Sequence, residues 1–414
     1  MSVYPQEQGR VMSIRTSLRS RQSAFFVLCA TLISTAMLSG CASFWSPVTT
    51  TTTTTNTGTG YNLVYVGKNA TTSLQGYLIS STGLTAVSGS PYSLTYAPTA
   101  LAINPANTYL YVGTGNGVYG YSIASGGALT TLSSGAALEA GFPVASIDVS
   151  PDGKYLLALS SSTSSPALYI CALDTSTGLF SSCTANSGVQ VSGTPGTVKF
   201  SPLESSLTTT AVAVTYGTSG LYTYTFDSGT LLYSGSYVAP TLTTASYNGI
   251  TWNSAGTAVF LASGGADDEV ISYPINSSSA MITNNPTPLA VGADPQALTF
   301  NQSQSYLYVT NTGSVAVPGS TVSGYTVTMS GTTPTYTPLS PTSTFSTSGN
   351  LPSAIAYDNT GTYLLVMNQS GPPDLVQYTI DTSTAGRLYV TSSISTGLTA
   401  SGTTPGGITM VTTH

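Results

Sequence analysis

The chain has 414 residues, of which 41% are apolar and 5% are Asp, Glu, Lys or Arg, with a formal net charge of −6. Ordinary soluble domains carry about 25% charged residues. The apolar content excludes a solvating disordered chain. The scarcity of charge excludes coiled coils and long surface helices, and the lack of clustered Lys and Arg excludes nucleic acid as a partner.

The first predicted element is an export signal. Four of the eight basic residues, Arg10, Arg15, Arg19 and Arg21, precede an apolar run from Ser23 to Gly40 that ends Leu38-Ser39-Gly40-Cys41. A positive segment, an apolar segment and small residues before a cut describe a secretory leader. The Cys directly after Leu-Ser-Gly resembles a bacterial lipobox, which implies removal of residues 1–40 and lipid on the Cys41 thiol. The competing reading is an uncleaved anchor, since the apolar run just suffices to span a bilayer; Met12 is an alternative start. Without residues 1–40 the cations are Lys68, Lys154, Lys199 and Arg387, against thirteen acidic residues. Residues 49–60, rich in Thr, have no apolar face to bury, and 41–60 reads as the lipidated Cys followed by a disordered tether. The expected address is the bacterial cell envelope, with the protein held at a membrane through lipid on Cys41.

From Tyr61 to His414 one pattern recurs about every 50 residues. An apolar–x–apolar triplet, usually after a Pro, opens each copy: Leu101-Ala102-Ile103, Ile147-Asp148-Val149, Val198-Lys199-Phe200, Ile250-Thr251-Trp252, Leu298-Thr299-Phe300, Ile355-Ala356-Tyr357 and Ile408-Thr409-Met410. Turn residues follow the first six, as in Ser-Pro-Asp-Gly-Lys at 150–154 and Asp-Asn-Thr-Gly-Thr at 358–362. Then come a second strand (YLYVGT, 109–114), a third carrying Tyr (GYSI, 120–123) and a fourth after a Gly-containing turn (GALTTL, 127–132). Four strands per repeat and seven triplets predict an all-β, seven-bladed β-propeller with four-stranded antiparallel blades. Residues 61–94 supply three strands of a blade, and the C-terminal triplet is a first strand with nothing after it. The first blade is therefore predicted to be closed by the C-terminal strand, which removes two open sheet edges.

The run Tyr308-Val309-Thr310-Asn311, with its relatives YVGT, VMNQ and YVGK, resembles the YVTN-type propeller repeat. The layout SPDGKYLLAL and the Y-x-I-D-x-x-x-G-x-L pattern resemble the seven-bladed lactonase family, which includes 6-phosphogluconolactonase-like proteins. This resemblance spans roughly residues 61–412. It implies lactone hydrolysis with His and Arg at the ends of the inner strands. Here the positions after the strand-leading Pro read VAS, GTV, QAL, SAI and GGI, with neither residue. The mature chain has a single His, His414, expected to be solvated, and a single Arg, Arg387, expected at the surface of an outer strand.

Asp148 and Lys199 occupy the middle of the inner triplet in adjacent blades, where the other blades carry Ala102, Thr251, Thr299, Ala356 and Thr409. Equivalent slots lie at one height in the channel, so the two are expected to pair and either fix blade register or contact a ligand. Asp267-Asp268-Glu269 is a weak candidate for Ca²⁺, since it lacks the alternation of a known loop; otherwise no metal and no cofactor is expected. The 27 tyrosines recur at fixed strand positions and are expected to pack blade on blade. Cys171 and Cys183 flank the turn at Asp174–Gly178. Pairing 174 with 180 sets them opposite, so an exported chain is expected to join them.

No catalytic residue is legible, and the sequence leans away from an enzyme. The expected function is a cell-envelope binding or interaction module for a glycan, a peptide or an envelope protein, in a monomer. The alternatives are a lactonase-like hydrolase and a structural surface component. The long loops expected at Thr312–Val322 and Thr328–Leu351 of blade six are the predicted contact surface.

Overall fold

The computed structural model describes residues 61–163, 167–186, 193–202, 210–240, 242, 244–276, 278–283, 285–398 and 407–414. The leader, Cys41 and the tether lie outside them, as does most of the fourth blade's first turn. The described residues form seven antiparallel sheets, each with a four-strand path. Six use strands consecutive in the chain. In the seventh, Ile408–Thr412 pairs with Leu63–Lys68, which pairs with Ser73–Ser80 and then Gly83–Ala86. The ring is a seven-bladed β-propeller, and the C-terminal strand completes blade one.

The core lies in the seams between blades. Leu157, Leu159, Val212, Tyr224 and Phe226 fill the seam of blades three and four. Val64, Val66, Tyr77, Leu365 and Met367 fill that of blades one and seven. Buried strands such as Leu63–Lys68 and Ala258–Gly264 have both faces covered by neighbouring blades, which explains the shortage of charge. Tyrosines bridge several seams. Tyr65, Tyr111 and Tyr308 donate their hydroxyls to the carbonyls of Gly127, Gly178 and Gly386 at 2.6, 3.2 and 2.6 Å. These glycines sit in turns of the next blade; at Gly178, with φ 72°, an added Cβ would lie 2.5 Å from the Tyr109 ring, so no side chain fits there.

Each inner strand ends on a polar residue that staples its turn. Asn104 Oδ1 accepts from the Tyr109 amide at 2.8 Å, Ser150 Oγ from Tyr155 at 2.9 Å, Asn301 Oδ1 from Tyr306 at 2.8 Å and Asp358 Oδ1 from Tyr363 at 2.6 Å. In blade one the staple is Thr413, whose Oγ1 accepts from the Leu63 amide at 2.9 Å. That position corrects the seventh triplet. Tyr65 faces Val411, as Tyr111 faces Ala102. The repeat unit of the closing strand is thus Met410-Val411-Thr412, two residues beyond the expected Ile408-Thr409-Met410. Pairing with a strand at the far end of the chain sets this register, and no following turn marks it in the sequence.

A second correction concerns blade six. Most of the expected loops are strand: Tyr306–Gly313 and Pro318–Ser330 form a hairpin zipped as far as Gly313 opposite Pro318, and Thr333–Pro338 and Thr344–Ser346 pair with it. β-branched Thr and Val are good strand residues, and the paired backbone leaves only a short tip with exposed Val315 and Val317. No helix among the described residues is long and apolar enough to cross a membrane.

Candidate functional site in the central channel

All seven inner strands line one cavity of about 550 Å³, within the range usual for small-molecule sites. Its wall follows from the repeat. Residues two apart on an inner strand face the channel together, about 6–7 Å apart along its axis. One layer contains Asp148, Lys199, Thr251, Thr299, Ala356 and Val411, with the equivalent Ala102 buried behind it. The layer below contains Ala100, Ser146, Thr197, Gly249, Ala297, Ala354 and Thr409.

Asp148 and Lys199 do meet. Lys199 Nζ lies 3.0 Å from Asp148 Oδ1. Asp148 Oδ2 accepts a second bond, from the Phe200 amide, at 2.8 Å. The carboxylate is mostly covered, with 16% of its side chain exposed, whereas the Lys199 side chain is 44% exposed. Asp148 thus anchors a cation that still faces the channel. Trp252 Nε1 donates to the Lys199 carbonyl at 3.4 Å and holds the strand from the next blade.

The sequence reading missed the third member. His414 follows the stapling Thr413 and lines the same cavity, at the end where the inner strands finish. Its backbone is fastened to Asn107 by two bonds of 2.9 Å. Its Nε2 lies 3.3 Å from the Ile103 carbonyl, so the ring lies against blade two. His414 is exposed and lines the cavity. Desolvation lowers its pKa below the ordinary 6.5; the Lys199 charge lowers it further, and the Ile103 bond and Asp148 oppose this. The imidazole is therefore neutral at pH 7. His414 is exposed, as expected, and it also lines the cavity. The signal that would have found it is the two-residue offset of the last strand, which sets His414 at the mouth.

The remaining candidates lie elsewhere. Cys171 and Cys183 form a disulfide between facing residues of the third and fourth strands of blade three; a bulge at Leu173–Phe180 absorbs the turn without shifting the pair. Arg387, on the outer strand of blade seven, lies 4.8 Å over the Tyr389 ring. Asp267 accepts from Ser263 Oγ and Asp268 from the Asp294 amide, both at 2.7 Å. Glu269 opens the next strand, and burial together with Asp267 raises its pKa. Among the described residues no group of three or more His, Cys, Asp or Glu is placed to hold a metal ion.

Comparison with known proteins assigns the class. The family profile described as "Lactonase, 7-bladed beta-propeller" matches residues 81–397, and the chain belongs to that family. Among solved structures it is similar to the periplasmic gluconolactonase of Pseudomonas aeruginosa, at 17% identity and a TM-score of 0.63, over 86% of this chain and 99% of that one. It is also similar to a Bacteroides fragilis protein provisionally named a 6-phosphogluconolactonase, at 15% identity and a TM-score of 0.64, over 86% and 98% of the two chains. No protein of curated function matches the sequence. Family membership overturns the expected binding or interaction module in favour of the lactonase-like alternative. The positions beside the leading Pro hold neither His nor Arg because the ionisable groups of this chain, Asp148 and Lys199, sit farther along the inner strands.

Proposed function

We propose that the protein hydrolyses a lactone in the central channel. The observation that carries this reading is the arc of His414, Asp148 and Lys199 on one wall of a 550 Å³ cavity in a lactonase-family ring. Ester cleavage needs a base for water and a donor for the carbonyl oxygen as it gains charge. Neutral His414 takes a proton from water, and the water oxygen bonds to the lactone carbonyl carbon. The Lys199 ammonium, held by Asp148, donates to the carbonyl oxygen. The ring C–O bond then breaks, and the imidazolium returns the proton to the departing alkoxide. The product is the open-chain hydroxy acid.

The test is acid release from a lactone by the purified chain. Activity above the spontaneous rate, lost in His414→Ala, supports the reading; an unaltered rate in that variant refutes the assignment of the base. The neutral imidazole is the active form and its pKa is lowered. Hence kcat/KM should be flat above pH 6.5 and fall only at lower pH, tenfold per unit once the base is protonated.

The same proposal extends to the address. The disulfide and the similarity to a periplasmic enzyme support export. The domain plan is then residues 1–40 as leader, Cys41 as lipid site, 41–60 as tether and 61–414 as propeller. Labelling with a radioactive fatty acid should mark the protein and fail in Cys41→Ser.

A further inference from the structure

We infer that Asp148 is a charge filter: it restricts the channel to uncharged, hydroxylated lactones and excludes their phosphate esters. The inference rests on the lactonase reading and specifies the substrate of that site.

Among the described residues lining the cavity, Lys199 is the one cation and Asp148 the one acidic side chain, with His414 neutral at pH 7. The Lys199 charge is compensated by Asp148 at 3.0 Å. The remaining described cations are not on this wall. Lys154 lies 3.5 Å from Asp152 on an exposed turn, Arg387 covers Tyr389 on an outer strand, and Lys68 is buried within blade one. A phosphate dianion entering the channel would shed water without an uncompensated cation to replace it. It would also meet the field of an acidic protein.

Neutral hydroxyl groups meet a different surface. The charged layer also holds Thr251 and Thr299, and the layer below offers Ser146, Thr197 and Thr409, with Gln296 beside them. Hydroxyl and amide side chains both donate and accept, so this band suits the hydroxyls of a sugar lactone whose carbonyl lies at Lys199. Ala100 of blade two and Ala354 and Ala356 of blade seven are small and apolar and leave room for the ring.

The test compares glucono-1,5-lactone with its 6-phosphate on the full chain. Wild type should favour the neutral lactone by at least about tenfold in kcat/KM. Asp148→Asn removes the filter, so the preference should shift about tenfold toward the phosphate ester, whatever the loss in absolute rate. Thr251→Lys adds a cation on the adjacent blade without touching the pair, and should shift the preference the same way if Asp148→Asn fails to fold. Equal or faster wild-type hydrolysis of the phosphate ester overturns the filter alone. So does an unmoved preference in a variant that melts like wild type. Hydrolysis of neither lactone defeats the lactonase reading and the filter with it.

Discussion

The blade seams and the channel wall are built from the same strands but obey opposite rules. In the seams the same residue type returns blade after blade: Tyr65, Tyr111 and Tyr308 each reach a glycine carbonyl in the next blade, and Asn104, Asn253 and Asn301 each staple a turn. On the channel wall the informative positions are those where the repeat is broken. Asp148 and Lys199 replace small or hydroxyl residues, and His414 ends the strand that closes the ring. Recurrence marks what every blade must do to pack, whereas departure marks what a single blade adds to the cavity.

The largest expected effect comes from striking both regions at once. Deleting residues 405–414 removes the inner strand of blade one, the Thr413 staple and His414. The ring should open, with loss of cooperative melting and of all lactone hydrolysis; an unchanged melting temperature would refute closure by this strand. Next is the wall alone. Lys199→Met should lower kcat by about 10²–10³, the usual cost of removing one oxyanion donor, while thermal unfolding stays cooperative.

The seams should respond in stability and not in rate. Breaking the Cys171–Cys183 bond with a Cys183→Ser substitution should cost about 2–3 kcal/mol by the loop-entropy account, read as a lower denaturant midpoint with kcat retained. The smallest effect is expected from Tyr308→Phe. It removes one seam hydrogen bond and leaves the Gly386 carbonyl unpaired, at about 1–3 kcal/mol. A change in kcat in either seam variant larger than that in Lys199→Met would erase the distinction between the two regions.

The blades were legible because their signals are local. Turn residues, strand alternation and a period of about 50 residues all lie within a short stretch of chain. The Asp148–Lys199 pair was legible for a related reason: once the period was known, two unlike residues in one slot stood out. His414 was not, because its place depends on pairing with a strand some 350 residues earlier, and nothing near it in sequence sets the register. Blade six misled for the converse reason. Its Ser- and Thr-rich segments read as loop, yet partners across the hairpin satisfy their backbone groups and turn them into strand.

Sequence by itself therefore determined the ring, its number of blades, the strand that closes it and the two charges worth following. Tertiary structure alone decided which ends of those strands converge, that a histidine lines the same cavity, and that the cation of the pair still faces the channel while its carboxylate is covered. The reason is physical: packing and turn formation act through neighbours in the chain, whereas a pKa, an ion pair and a cavity depend on distances between blades that only the closed ring brings together.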